Sequence, residues 1–402
     1  MITLIGPDDP ALNALEESLQ QVTVTSEVTV TSEAARLLII PWAEYRDRLM
    51  ETLTAGEAPH QAAFVPGHIW LPELAEAGYL APLDQIRPPL PETGPHPAER
   101  LLAEMLPAVT AEAHYRGMAY LFPLFTDGHI LFYQESLLRD AVQALAASGS
   151  ATRAGGVPVV SPLTLAEMAE QAHNPPEVYG LALKAHPSEI FLDWLPFLWA
   201  AGGDLLDEAG RPAFAGDAGV QALGYYTGLR RFCPPDTHTY GNAEIVEIIQ
   251  NGRAALVTTW GGQAGPLFAA GAGRLYRTAV FPRPWNAAWG AAIPANQPAE
   301  RQQAALSALL SAFGPETDLA VITAAGSPVR RSSYAPEKLE AHPWLPAQLA
   351  MLESYGRLPD RPEVGRFLGA LYGAVYSAFT GQQTPESALK QAEAEARQAL
   401  GL

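Results

Sequence analysis

Phe125-Thr126-Asp127-Gly128 places a ring, a hydroxyl, a carboxylate and a glycine inside an otherwise apolar run, YRGMAYLFPLFTDGHILFYQESLL, residues 115–138. Polar atoms in such a run are costly unless each meets a partner. The group is therefore either a turn between two core strands or a crossing between two lobes whose polar side chains face a ligand. Asp127 would accept hydroxyl hydrogen bonds there, and Phe125 would lie beside it. Pro123 withholds a ladder donor and restrains the residue before it, so the chain is expected to change direction or neighbourhood at that point.

Trp260-Gly261-Gly262, which follows the apolar run Ala254 to Thr259, carries the second kind of chemistry. An indole face can stack on a sugar ring, aromatic side chains line ligand clefts, and glycines such as Gly261 let backbone approach a ligand. Trp70 with His68, Trp285, and Trp289 are further candidates, one of the last two being assigned to the core. Asp8 lies in a Gly6 to Asp9 turn after the first strand. Arg330 could touch ligand but reads better as a surface ion pair. Burying one aromatic face of ~75–125 Å² returns ~2–3 kcal/mol, whereas micromolar affinity needs ~8 kcal/mol net. Two platforms plus several hydroxyl-to-carboxylate bonds are required; Asp127 alone would not suffice.

Other chemistries find no support. His68, His129 and His186 are too scattered for a metal site, and Cys233 is the single cysteine, so neither a disulfide nor a thiolate cluster is expected. There is no nucleophile elbow, zinc helix or phosphate loop, and no carboxylate pair stands out by spacing. No catalytic residue, metal or cofactor is assigned.

These residues need elements to hold them. Ile2 to Ile5 reads as a strand, Ala11 to Gln20 as a helix with Leu12, Leu15 and Leu19 on one face, and Glu27 to Val30 as a second strand. Trp42 to Leu53 is helical by period, Ala62 to Val65 a short buried strand, and Leu71 to Ala77 a helix. This alternation predicts an α/β fold with a mostly parallel sheet and helices on both faces. Ligands in such sheets sit beyond the carboxyl ends of the strands, which puts Gly6 to Asp9 and Pro66 to Trp70 on one rim. Ser148 to Ser161 reads as a flexible loop, and Thr164 with Glu167 as a capping box opening a helix. Ser188 is expected to cap an apolar helix through Trp194 and Trp199 that Pro196 kinks or splits. Val178 to Leu183, Ala254 to Thr259 and Gly290 to Pro294 read as strands. Gln221 to Phe232, Glu244 to Gln250, Ala299 to Phe313, Leu368 to Phe379 and Thr384 to Leu400 read as helices.

At 402 residues the chain is long enough for two or three domains, and 48% apolar against 17% charged residues indicates a packed globule. A net charge of −18 argues against a general nucleic-acid or anionic-membrane binder. Lys184, Lys338 and Lys390 are the only lysines, which reads as compositional. No apolar run approaches the ~18 residues of a membrane span, and no leader is visible in this numbering.

Four passages in this order resemble the extracellular solute-binding proteins of ABC importers, in the group related to maltose-binding protein. Gly78 to Asp84 resembles a G-x-L-x-P-L-D passage and Pro123 to Tyr133 a crossing segment. Gly252-Arg253-Ala254-Ala255-Leu256 followed by Trp260 resembles a G-x-A-A-M strand and ligand loop, with Leu256 for the usual Met. Thr380 to Leu389 resembles a C-terminal G-x-x-T-P-E-x-A-L. The resemblance implies a periplasmic-binding-protein-like fold of two α/β lobes joined by hinge crossings, with residues 1–121 and 290–315 in the first lobe and 122–289 and 316–402 in the second. It implies a non-enzymatic monomer, periplasmic or extracellular and lipid-anchored or free, that binds a mono- or oligosaccharide between the lobes. The partner it implies is an ABC transporter permease, and no nucleic acid. Two alternatives stay open: a binder of another solute (polyamine, phosphodiester or vitamin) and, behind it, a glycosidase.

Overall fold

The computed structural model describes residues 2–21, 35–87, 94–147 and 156–402. The strand expected at Glu27 to Val30 and most of the loop from Ser148 lie outside the described residues. The described strands are β1 (Thr3–Pro7), β2 (Arg36–Ile40), β3 (Ala62–Pro66), β4 (His114–Tyr115), β5 (Met118–Ala119), β6 (Phe122–Gln134), β7 (Tyr179–Ala182), β8 (Ala254–Trp260), β9 (Tyr276–Ala279) and β10 (Asn286–Ala292). The chain forms two compact units, the first made of residues 1–127, 287–335 and 360–362, the second of 128–286, 336–359 and 363–402.

In the first unit β1 pairs in parallel with β2 and β3, and β10 lies antiparallel against β3. Leu4, Ile5, Phe64 and Val65 are fully buried, and Leu12 and Leu15 of the helix Pro10–Gln21 are buried as the leucine period requires. The short β4–β5 hairpin turns through Arg116 and Gly117, both at positive φ (47° and 79°), the conformation that tight two-residue turns demand.

The second unit is less parallel than strand–helix alternation suggests. Among its described strands only β7 and β8 pair in parallel, while β6 runs antiparallel to both β8 and β9. The α/β class holds but the sheet is mixed, because alternation shows that strands and helices succeed each other and not which strands become neighbours.

Three expectations change. Pro123 does not turn the chain: β6 is one strand of 13 residues, and only its neighbourhood changes, since the boundary between units falls between Asp127 and Gly128. The helix expected to start at Thr164 spans Pro162–Ala172 and is capped by Ser161, whose Oγ accepts from the Thr164 amide at 3.1 Å. Pro162 fits the first helical position and draws the start back. Ser188 does not cap Ile190–Ala200; its hydroxyl meets His186 Nδ1 at 2.7 Å, and Pro196 leaves the helix in one piece.

Residues 316–335, expected in the second lobe, belong to the first unit. The helix Pro315–Ala324 packs against Pro10–Gln21. Buried Asp318 accepts from the amides of Val329 (2.8 Å) and Arg330 (3.1 Å) and from the Ser333 hydroxyl (2.6 Å), which holds the following loop. Such a closed set of bonds satisfies a carboxylate whose pKa burial raises.

Gly180 in β7 fits directly under the helix Pro162–Ala172, where an added Cβ would lie 2.0 Å from the Ala169 carbonyl oxygen. Gly180→Ala must push that helix off the sheet. The expected cost is ~1–3 kcal/mol, read as a lower urea midpoint; an unchanged midpoint would show that the contact carries no weight.

Candidate functional site

At the end of β8, the Trp260 indole is held on several sides. Its Nε1 donates to Glu189 Oε2 at 2.6 Å. The Lys184 ammonium sits over the ring, 4.0 Å from its centroid, within cation–π range. The Trp285 and His129 rings meet it edge-on at 4.7 and 5.1 Å. Glu189 Oε2 also receives Lys184 Nζ at 3.0 Å, and Lys184 Nζ bonds Asn242 Oδ1 as well. Lys184 is completely buried, whereas the Glu189 side chain keeps 19% of its surface exposed.

The fold explains this convergence. Lys184 follows β7, Trp260 ends β8, and those two strands are parallel, so their carboxyl ends share one edge. Glu189 precedes the helix Ile190–Ala200, and Asn242 is the first residue of the helix Asn242–Gln250. Two strand ends and two helix starts therefore supply the four side chains. Among the described residues nothing bonds Glu189 Oε1, so this carboxylate has one oxygen engaged and one acceptor open.

Beside Trp260 lies a buried polar relay. His129 Nε2 meets Asp193 Oδ1 at 3.0 Å, and the Tyr226 hydroxyl donates to Asp193 Oδ2 at 2.8 Å. All three side chains are buried. Burial pushes the His129 pKa down, reinforced by Lys184 and opposed by Asp193, and burial with Asp193 pushes Tyr226 up. The neutral imidazole and phenol then satisfy Asp193 away from the surface.

The first unit carries its own aromatic group. Trp42 stacks on Trp70 (6.0 Å, 7°), Trp289 meets both edge-on, and Phe125 stacks on Trp289 (5.9 Å, 6°). Arg46 covers Trp70 at 4.6 Å and pairs with Glu73 at 2.7 Å. Exposure grades along the stack, from Trp42 at 51% through half-buried Trp70 to Trp289 at 9% and Phe125 at 1%.

The candidates read from sequence thus separate into groups. Trp260, Gly261 and Trp285 come together in the second unit, and Trp70, Trp289 and Phe125 in the first. Trp260 at 5%, Trp285 at 2% and Phe125 at 1% are all buried, and of the three Trp260 alone is bonded to a part-exposed carboxylate, Glu189. Asp127 and His68 are half-buried, and Asp8 is exposed, its amide bonded to the Ile40 carbonyl. Arg330 is not the surface pair expected of it. It is buried at 3%, bonds Glu104 and the Phe313 carbonyl, and braces the loop that Asp318 holds. The room beside Gly261 belongs to a protein side chain: a Cβ there would lie 1.9 Å from Gln348 Oε1. Trp194 is fully buried and Trp199 nearly so, its Nε1 donating to Asp204.

Sequence reasoning missed Lys184, Glu189, Asn242 and Trp42. Lys184 had one usable signal, a lone lysine directly after an apolar strand in a chain that otherwise uses arginine. Glu189, five residues on, had none until the helix start brought it back toward β8.

The family model for the bacterial extracellular solute-binding proteins matches residues 36–347. A mannitol-binding protein of Pseudomonas aeruginosa is 25% identical over 334 residues, covering 74% of this chain and 73% of that protein. Among solved structures, maltose-bound MalE3 of T. maritima superposes with a TM-score of 0.81 at 21% identity over 98% of both chains. A solute-binding protein of Agrobacterium radiobacter K84 in complex with ribitol gives 0.79 at 21%, over 99% and 98%. One of Agrobacterium vitis S4 with bound D-mannitol gives 0.77 at 18%, over 100% and 98%. At these identities the structures establish a shared fold.

The half-buried His68 supplies a test of the first unit's rim. Burial lowers its pKa to about 3, against ~6.5 in the unfolded chain. Between those values the unfolded state binds more protons, so the contribution is intact above pH ~6.5 and is lost as pH falls toward 3. His129 acts in the same sense and Asp318 in the opposite one. His68→Gln should lessen the destabilisation between pH 7 and pH 4 by ~1–2 kcal/mol after solvent screening. Urea unfolding of both proteins at the two pH values reads it, and equal pH slopes would refute the assignment.

Proposed function

We propose, from the premise that the chain belongs to the bacterial extracellular solute-binding protein family, that it binds a neutral sugar or sugar alcohol and delivers it to an ABC transporter permease. The observation that carries this reading is the Trp260–Glu189 pair: a fixed indole beside a carboxylate with one open acceptor oxygen. A polyhydroxylated ligand presents C–H faces and hydroxyl donors together, and this pair matches both. In the first unit the Trp42–Trp70 stack and half-buried Asp127 offer the same two chemistries. The relatives named above include proteins bound to mannitol, ribitol and maltose, which supports the same ligand class.

The site is suited to holding a solute and not to transforming it. The buried Asp193 is committed on both oxygens to His129 and Tyr226, and Glu189 is tied to Lys184 and Trp260. Neither is placed as one of two opposed carboxylates across a glycosidic bond. An anionic solute is disfavoured, because the cations beside the aromatic groups are engaged: Lys184 with Glu189 and Arg46 with Glu73. The protein is read as a monomer acting in the periplasm or outside the cell.

Trp260→Phe is the informative variant, since it keeps a ring in the packed position and removes the indole N–H and part of the stacking face. Its affinity for the best ligand among D-mannitol, ribitol and maltose should fall tenfold or more, ~1.4 kcal/mol. Calorimetry on the folded variant reads the change, and an unaltered affinity would count against Trp260 as the platform. Wild-type protein at ~100 times the Kd of its ligand should gain ~2.7 kcal/mol of stability in a thermal-shift screen. No shift with any sugar or polyol would reject the ligand class.

A further inference from the structure

We propose that Lys184 is a specificity-determining residue which, resting on the ligand class inferred above, keeps cationic solutes out by neutralising Glu189 at the Trp260 platform. Lys184 reaches no solvent, so its role runs through what it touches: the Glu189 carboxylate at 3.0 Å, the Trp260 ring at 4.0 Å and Asn242 Oδ1. Its backbone is pinned as well, the amide donating to Thr258 Oγ1 at 3.1 Å. A flexible ammonium is thereby fixed behind one face of the indole. Trp260 is itself only 5% exposed, so the open oxygen of the part-exposed Glu189, with the small accessible part of the ring beside it, is what is left for a ligand.

The charges of Lys184 and Glu189 cancel as a pair. Lys184 balances Glu189 through a direct contact, and His129, with a pKa lowered by burial, adds a neutral ring. Asp193 stands behind His129 with both oxygens bonded. A carboxylate that presents an open oxygen would by itself favour an ammonium group over a hydroxyl, since charge-assisted hydrogen bonds are the stronger ones. With the Lys184 ammonium on its other oxygen and against the same ring, that advantage is removed. The site then prefers a hydroxyl donor to an amine.

The test compares D-mannitol with its aminated analogue, 1-amino-1-deoxy-D-mannitol, by calorimetry on wild type and on Lys184→Met, Lys184→Arg and Glu189→Gln. Wild type should bind mannitol at least as tightly as the amine. In Lys184→Met the ratio of the two affinities should swing tenfold or more toward the amine. Lys184→Arg should retain the wild-type preference, and Glu189→Gln should shift the ratio away from the amine. A merely structural lysine would weaken both ligands alike, and a constant ratio across all the variants would overturn the proposal. Should Lys184→Met not fold by circular dichroism, Glu189→Gln decides alone, with an unshifted ratio refuting it. Wild type that binds neither compound, nor ribitol or maltose, would instead reject the ligand class itself.

Discussion

The second unit's site depends on one oxygen atom, Glu189 Oε2, which accepts from the Trp260 indole and from the Lys184 ammonium together. A buried ammonium without a partner would cost several kcal/mol, and an unpaired indole N–H a further ~1–3 kcal/mol. A single carboxylate satisfies both, and in doing so fixes the ends of β7 and β8 relative to the helix Ile190–Ala200. Asn242 adds the start of another helix through the same ammonium. The indole is therefore oriented by bonds within the protein, so little ordering entropy of this side chain remains to be lost on binding.

Glycines around this arrangement serve protein packing. Gly261 makes room for Gln348, and Gly128 for Met351, whose Cε would lie 2.3 Å from an added Cβ. Both partners come from one helix, Leu345–Ser354. A glycine after a tryptophan reads in sequence as a place where a ligand approaches the backbone. Here the approach is made by a helix almost ninety residues further along, which no local pattern announces.

The elements themselves were largely legible. Apolar period placed the helices Pro10–Gln21 and Trp42–Thr54, Pro385 at a first turn marked Pro385–Ala399, and the short apolar runs placed β1, β3 and β8, because burial of one face dictates those patterns. The edge strand Arg36–Ile40 went unread because LLII carries no alternation and no turn signal close before it. The site was half legible. Trp260 stood out by residue type and position, but its three polar neighbours are ordinary residues made special by topology. Arg330 shows the converse: an arginine in a small-residue loop looks exposed, and only the Asp318 brace, built on residues 11 to 15 apart, takes it inside.

The overall charge of −18 makes the position of Lys184 meaningful beyond packing. A strongly acidic protein attracts cations over distances up to the Debye length and so concentrates amines near its surface. That field cannot distinguish a polyol from water, and it favours the wrong solute if the target is neutral. Discrimination must therefore be made at contact range, where solvent does not screen. In the role proposed for it, Lys184, sealed behind the Trp260 ring, meets that requirement. Paired with Glu189 it adds no net charge to the field that steers encounter, yet it is close enough to cancel the carboxylate a bound amine would seek. A surface arginine in the same sequence could not do this, since its own charge would be screened and its position unfixed.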